Sequence, residues 1–134
     1  MASEKCSICG CKIHRDGDFG KPTIKGRSHA TKHHFVAERF FGRSKNRKGK
    51  TRVPIFKRCP WDIEGETAEF CFECHEVLLH NPVLLQKDIK MFAEIVKKKR
   101  MNEGKKTNSR KKLRKRIVLL HRIILEGLKV LRNM

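Results

Sequence analysis

Two Cys-x-x-Cys pairs carry the clearest chemistry in this sequence, Cys6-Ser7-Ile8-Cys9 and Cys71-Phe72-Glu73-Cys74. The spacing lets two thiolates share one tetrahedral ion while backbone amides at the turn support the sulfurs. Two such knuckles far apart in sequence complete a four-sulfur site and tie the ends of a domain together. The expected occupant is a structural Zn2+ on Cys6, Cys9, Cys71 and Cys74, since a closed sulfur set leaves no open position for chemistry. The competing use, a redox Cys-x-x-Cys, requires a thioredoxin-like βαβ pattern, and neither pair has one around it. Two cysteines are left over. Cys11 is an alternative to Cys9 as ligand, and Cys59, in Arg58-Cys59-Pro60-Trp61, reads as a buried thiol near the only tryptophan. A weaker arrangement is a second metal on Cys11, Cys59 and a histidine.

The histidines form the second constellation: His29, His33, His34, His75 and His80 gather around the knuckles in sequence. Histidine is both the natural base near neutral pH and a common metal ligand. On an extended segment adjacent side chains point to opposite faces. In the pair His33-His34 one imidazole can therefore bind a metal while the other meets a water. A lone histidine is ordinarily a surface or hydrogen-bonded residue; a His-His pair followed by Cys-x-x-Cys-His is harder to dismiss.

A leading Cys-x-x-Cys, a central His-His and a Cys-x-x-Cys-His opening a helix together resemble the zinc-containing HNH (ββα-metal) endonucleases. The resemblance spans about Cys6 to Pro82. It implies that His33 and His75 ligate a catalytic divalent ion and that His34 is the general base. Colicin-type members of that superfamily also use a His-His pair. Where the family has its central Asn, before the third cysteine, this chain has Glu66, a carboxylate able to orient the base or bind metal. A second helix histidine in the family follows the first by four residues. Here His80 follows His75 by five, so the two diverge on a regular helix; His80 is either a further ligand or a cap at Asn81-Pro82. Arg39, close to the pair, is a candidate phosphate clamp through its forked guanidinium, or else ordinary surface charge. The implied catalytic ion is Mg2+ or Mn2+, or a softer ion, since mixed imidazole and oxygen ligands do not choose among them.

These groups need a scaffold, and the composition limits its size. Only 38% of the 134 residues are hydrophobic and 7% aromatic, so a small core needs a staple such as a metal. The expected fold is a small α+β protein, a zinc-stapled ββα-metal (HNH-like) core with a basic C-terminal amphipathic helix. Residues 1–97 form the HNH-like domain, residues 98–109 a basic linker or fraying helix end, and residues 110–134 the helix. In that helix Leu113, Ile117, Leu120, Ile124, Leu128 and Leu131 recur at spacings of three and four. Within the domain, residues 42–49 read as an exposed basic loop. Residues 52–56 and 68–72 read as short strands, the first confined to an edge by Pro54. Residues 83–96 read as a helix with Leu85, Ile89, Phe92 and Val96 on one face.

Charge points to the partner. Lys and Arg number 33 against 14 Asp and Glu, a net +19 with pI near 10.2. Such a chain attracts polyanions, because neutralising phosphates releases condensed counterions. Nucleic acid is the expected partner, DNA ahead of RNA, with an anionic membrane surface the lesser option. No apolar run approaches the roughly 18 residues of a membrane span, and the first residues lack the apolar core of a signal peptide. A reducing cytoplasm is the expected location, where paired cysteines serve metals more often than disulfides. The expected function is an HNH-type endonuclease that nicks or cleaves DNA. The alternative is a catalytically silent zinc module that binds DNA or RNA, or a subunit of a nucleoprotein assembly. The C-terminal helix is expected to pack on a protein partner or to self-associate.

Overall fold

The computed structural model describes residues 5–15, 23–24, 27–43, 45–63, 65–104 and 110–134. Residues 105–109 of the expected basic linker lie outside them. The chain forms two compact units, Met1–Glu38 with Ile63–Val83, and Arg39–Asp62 with Leu84–Met134.

The first unit is built on one strand. β1 (Ile13–His14), β2 (Thr23–Ile24), β3 (Arg27–His34) and β4 (Thr67–Cys71) form a four-stranded sheet in which every other strand pairs with β3. β1 runs parallel to it, while β2 and β4 run antiparallel. The β3–β4 register sets His33 opposite Ala68, His34 opposite Thr67 and Ala30 opposite Cys71. β4 starts and ends one residue earlier than the expected strand 68–72. It feeds directly into a wide π-helix, Glu73–Leu79. Two antiparallel strands followed by a helix are thus present, in a mixed sheet-and-helix fold. Among the described residues of this unit, the buried apolar ones are the knuckle cysteines Cys6, Cys71 and Cys74, with Ala30 and Val36.

The second unit holds α1 (Gln86–Lys98) and α2 (Arg110–Arg132). Asp88 starts α1 by accepting the Leu85 amide at 2.8 Å, half of a capping box. α1 ends in a hydrogen-bonded stop. The Met101 amide reaches the Val96 carbonyl at 2.9 Å and the Arg100 amide that of Lys97 at 3.0 Å. Arg100 is left-handed, φ 56°, which completes a Schellman stop in a place usually given to glycine.

Residues 52–56 do not form the expected strand. Pro54 has no amide to give, and the amides of Ile55 and Phe56 both bond to one carbonyl, that of Phe40, at 2.8 and 3.0 Å. No ladder can grow from a segment whose donors are spent in this way. α2 is tied to this segment by an Arg114 guanidinium hydrogen bond to the Ile55 carbonyl at 3.1 Å, and to Trp61 beyond it by the indole N–H donated to His121 Nδ1 at 3.0 Å. Leu119 is buried, whereas Ile124, Leu128 and Leu131 of the apolar stripe are exposed. Among the described residues no helix is long and apolar enough to cross a membrane.

Candidate metal centres

The first centre joins two turns of backbone. The Cys6–Cys11 turn closes through Gly10 N–H to the Cys6 carbonyl at 2.8 Å and Cys6 N–H to the Cys11 carbonyl at 2.9 Å. Gly10 sits at φ 79°, the left-handed conformation that such a turn needs and that a side chain resists. The second knuckle leaves the end of β4, where the Ser28 hydroxyl accepts the Phe72 amide at 3.1 Å. The Cys74 amide then points at Cys71 Sγ, 3.3 Å away, the amide support that Cys-x-x-Cys knuckles give their sulfurs.

The four sulfurs of Cys6, Cys9, Cys71 and Cys74 lie within 4.8 Å of one another. Cys9 Sγ and Cys71 Sγ are 3.7 Å apart. A sulfur tetrahedron on Zn–S bonds of about 2.3 Å has an edge of roughly 3.8 Å, so the donor set fits a structural ion such as Zn2+.

Without metal the cluster cannot ionise fully. Burial pushes the Cys6 thiol up, but hydrogen bonds with the backbone at Cys71, Cys9 and Ile8 outweigh it and bring Cys6 down to about 6 from an ordinary 9.0. Cys9 is lowered by hydrogen bonds with Cys11. Burial, then protons shared with the sulfurs of Cys71 and Cys9, raises Cys74. Cys6 and Cys9 thus give up their protons readily while Cys74 holds its own, and a cation entering the set must displace it. Cys11 stands beside the set, its own thiol pushed up to about 12 by burial and by hydrogen bonding to Cys9 and Cys71. All six cysteines are free. Cys59 is half-buried in the second unit and, among the described residues, joins no metal-ligating set.

The second centre gathers His33, His75 and His80, whose ligating nitrogens also lie within 4.8 Å of one another. β3 supplies His33, and the helix after the second knuckle supplies the other two. Ring centroids are 5.2 Å apart for His33 and His75, 5.9 Å for His33 and His80, and 4.3 Å for His75 and His80. The five-residue spacing of His75 and His80 would splay them on an α-helix. Here the segment is a π-helix, and the His80 amide bonds to the His75 carbonyl five residues back, at 3.3 Å. The wider turn brings the two rings together, and such single π turns recur at functional sites. Asn81 secures the end by donating its side-chain amide to the Glu76 and Val77 carbonyls, both at 3.0 Å.

His75 Nδ1 lies 2.8 Å from the Thr31 hydroxyl, which also lies 3.3 Å from the Phe70 carbonyl. An Nδ1–H tautomer suits these contacts and would leave Nε2 to a metal. Glu76 adds a contact of 3.3 Å to the same Nδ1 and one of 3.7 Å to His80 Nδ1. His33 Nδ1 is buried without a hydrogen-bond partner, a costly state for a polar atom unless an ion takes it up. This orphaned nitrogen and the convergence of the three ligand atoms are why the imidazoles fit a metal. Partners of this kind usually change metal affinity ~10–100-fold. Thr31→Val, which keeps the side-chain shape, is accordingly expected to weaken metal binding at the histidines by about that factor without releasing metal from the cysteines. Calorimetric titration of zinc-loaded protein with Co2+ measures it.

Burial, then the charges of His80 and His34, lowers His75; burial, then His75, His80 and His34, lowers His33. A His pKa below its unfolded value means that the unfolded chain takes up protons first as pH falls. Stability from these groups is intact above the ordinary 6.5 and is lost as pH falls below it toward their lowered folded-state values. Co2+ affinity at the histidines is expected to hold down to pH 6.5 and to fall only below it, as protons compete with the ion for the imidazoles, which titrations at a series of pH values measure.

The other site residues fall as follows. His34 is half-buried, with Nε2 3.3 Å from the Glu38 carboxylate, and its charge reaches both His33 and His75. Glu66 belongs to neither ligand set. Its side chain is exposed, and its carbonyl accepts the Phe35 amide at 3.3 Å, just beyond the His34–Thr67 pair. Arg39 is exposed in the second unit. His29 is buried in the first unit against His14, with ring centroids 5.2 Å apart, and is not one of the three ligands.

Sequence reasoning missed Thr31, Glu38 and Glu76. Their signals were present: Thr31 precedes His33 by two on one strand face, Glu38 follows His34 by four, and Glu76 lies between the two helix histidines.

Comparison with family models, curated proteins and solved structures returns no match. The geometry stands by itself. It is that of a small sheet-and-helix module holding a four-cysteine set and a histidine cluster, each able to take a metal.

Proposed function

We propose that this protein is a metal-dependent phosphodiesterase of the HNH type, cutting DNA in preference to RNA, with His34 as general base. The observation that carries the reading is the convergence of His33, His75 and His80 within 4.8 Å with His34 alongside. A closed set of four cysteines is the mark of structural zinc, whereas three protein ligands leave positions open for substrate. The order β3, β4, helix matches the ββα arrangement that the sequence resemblance implied, and the net charge of +19 suits a polyanionic substrate.

A divalent ion on the three imidazoles would neutralise a phosphate and stabilise the leaving 3′ oxygen. Imidazole suits nickel, zinc, copper and iron better than the Mg2+ or Mn2+ expected from the sequence, which prefer oxygen. In this reading Glu38 accepts the Nε2 proton of His34 and turns Nδ1 toward a water, whose proton it takes as that water attacks phosphorus in line. Glu38 thereby orients the base, the role considered for Glu66, which contributes through its backbone. His33 and His75, whose protonation is disfavoured by burial and then by neighbouring histidines, stay available as ligands at neutral pH. The exposed stripe of α2 goes with a protein partner or a second copy of the chain, and the free thiols go with a cytoplasmic, nucleic-acid-associated location.

The test is conversion of supercoiled plasmid to nicked circles by zinc-loaded protein with Ni2+, Mn2+ or Mg2+ added in turn. Metal-dependent nicking, weakest with Mg2+, is expected. Retardation of the plasmid without nicking under every metal would replace this reading with the silent binding module.

A further inference from the structure

The second unit carries a cleft of about 280 Å³ lined by Arg39, Asn46, Arg52, Val53, Ile55 and Arg110. Three guanidinium groups border it and, among the described residues, no carboxylate does. Among the described residues none of the three arginines is in a salt bridge; Arg39 only lies 6.0 Å from the Phe40 ring. Like charges brought to one concave surface repel, and the cost persists until an anion enters. The first turn of α2, where Arg110 stands, contains no acidic residue to offset them.

The cleft is also built rather than merely charged. Lys45 pairs with Thr51 across the loop. Asn46 Oδ1 accepts the amides of Lys48 and Lys50 at 2.9 and 3.1 Å, and the Asn46 amide reaches the Lys50 carbonyl at 2.9 Å. Its side-chain NH2 is left to donate. At the loop's base Gly42 has φ 74°, and a Cβ there would stand 2.8 Å from the Arg52 carbonyl. Only glycine permits that approach, which holds Arg52 in place.

We infer that this cleft is a phosphate-binding site that grips the backbone of a nucleic acid, with the planar forks of Arg39, Arg52 and Arg110 bonding phosphate oxygens and Val53 and Ile55 against the sugar. It shares the nucleic-acid partner of the proposed function and needs neither metal centre to take part in contact with phosphate. Contacts of this kind carry affinity and register but little sequence information.

The experiment is fluorescence anisotropy of labelled duplex DNA and of a duplex RNA of the same length, with zinc-loaded protein, no added divalent ion and several salt concentrations. Arg39→Gln/Arg52→Gln/Arg110→Gln is compared with Lys97→Gln/Lys129→Gln/Arg132→Gln, which removes equal charge from exposed helix positions of the same unit. Each neutralised phosphate contributes about 0.9 to the slope of log affinity against log salt. The cleft variant is expected to reduce that slope by about 2 to 3 and to bind at least tenfold more weakly, with the control changing much less. The two duplexes tell which polymer is held. Equal losses for the two variants, or no binding of either duplex by the wild type, overturns the inference. Because no divalent ion is added, the outcome is separate from cleavage: a protein that grips through the cleft yet cuts nothing sinks only the nuclease reading.

Discussion

Stripping the metal from the four cysteines is expected to unfold the Met1–Glu38 and Ile63–Val83 unit outright. Among the described residues its buried apolar side chains are Cys6, Cys71 and Cys74, which belong to the ligand set itself, and Ala30 and Val36. Burying a valine contributes about 1.5–3 kcal/mol, while ordering the backbone costs ~1–2 kcal/mol for every residue. A zinc ion in a small structural site contributes about 10–16 kcal/mol at neutral pH, so the ion decides the balance. The loss should appear in hydrogen exchange as fast exchange of the β3 and β4 amides on adding a strong chelator, and it should be reversed by zinc. Cys74→Ser is expected to reproduce it without chelator. Retained protection of β3 and β4 in metal-free protein would show that the sheet stands without its staple.

Removing one histidine ligand is expected to have the next largest effect. His75→Ala takes away a metal ligand and the partner of Thr31 together. Metal charge stabilisation is worth several kcal/mol in a transition state, and each ~1.4 kcal/mol is tenfold in rate. Cleavage should therefore fall about 10³-fold or more. His75 is buried beside Cys74, so His80→Ala serves as the companion variant, since it removes a ligand from an exposed position and opens no cavity. Both are expected to carry one fewer equivalent of metal by elemental analysis, with the cysteine-bound ion retained. Variants that lose activity while keeping the full metal content would place the ion elsewhere.

Much of this site was legible in the sequence where the physics is local. A Cys-x-x-Cys turn positions its own two sulfurs, and a helical stripe such as Leu113 to Leu131 repeats with the period of the backbone that forms it. The pairing of the two knuckles followed from counting ligands. What was not legible depends on departures from regular geometry or on contacts across the chain. The spacing of His75 and His80 argued against a shared ligand set only because an α-helix was assumed; the π turn reverses that argument. Residues 52–56 have the composition of a strand, but a single carbonyl at Phe40 takes two of their amides. The hydroxyl that meets His75 Nδ1 is that of Thr31, which is 44 residues away in the chain. Glu66 occupied the family's Asn position in sequence, yet the carboxylate that meets His34 is Glu38.

The most direct test of the central claim compares wild type with His34→Ala in plasmid nicking, both zinc-loaded and saturated with the best activating metal. General-base help is worth ~10²–10⁴-fold, and His34 is assigned no metal. A loss within that range, at unchanged metal content and unchanged DNA affinity, is the predicted result. Equal nicking rates for the two proteins would contradict it, because the base would then have to be another residue.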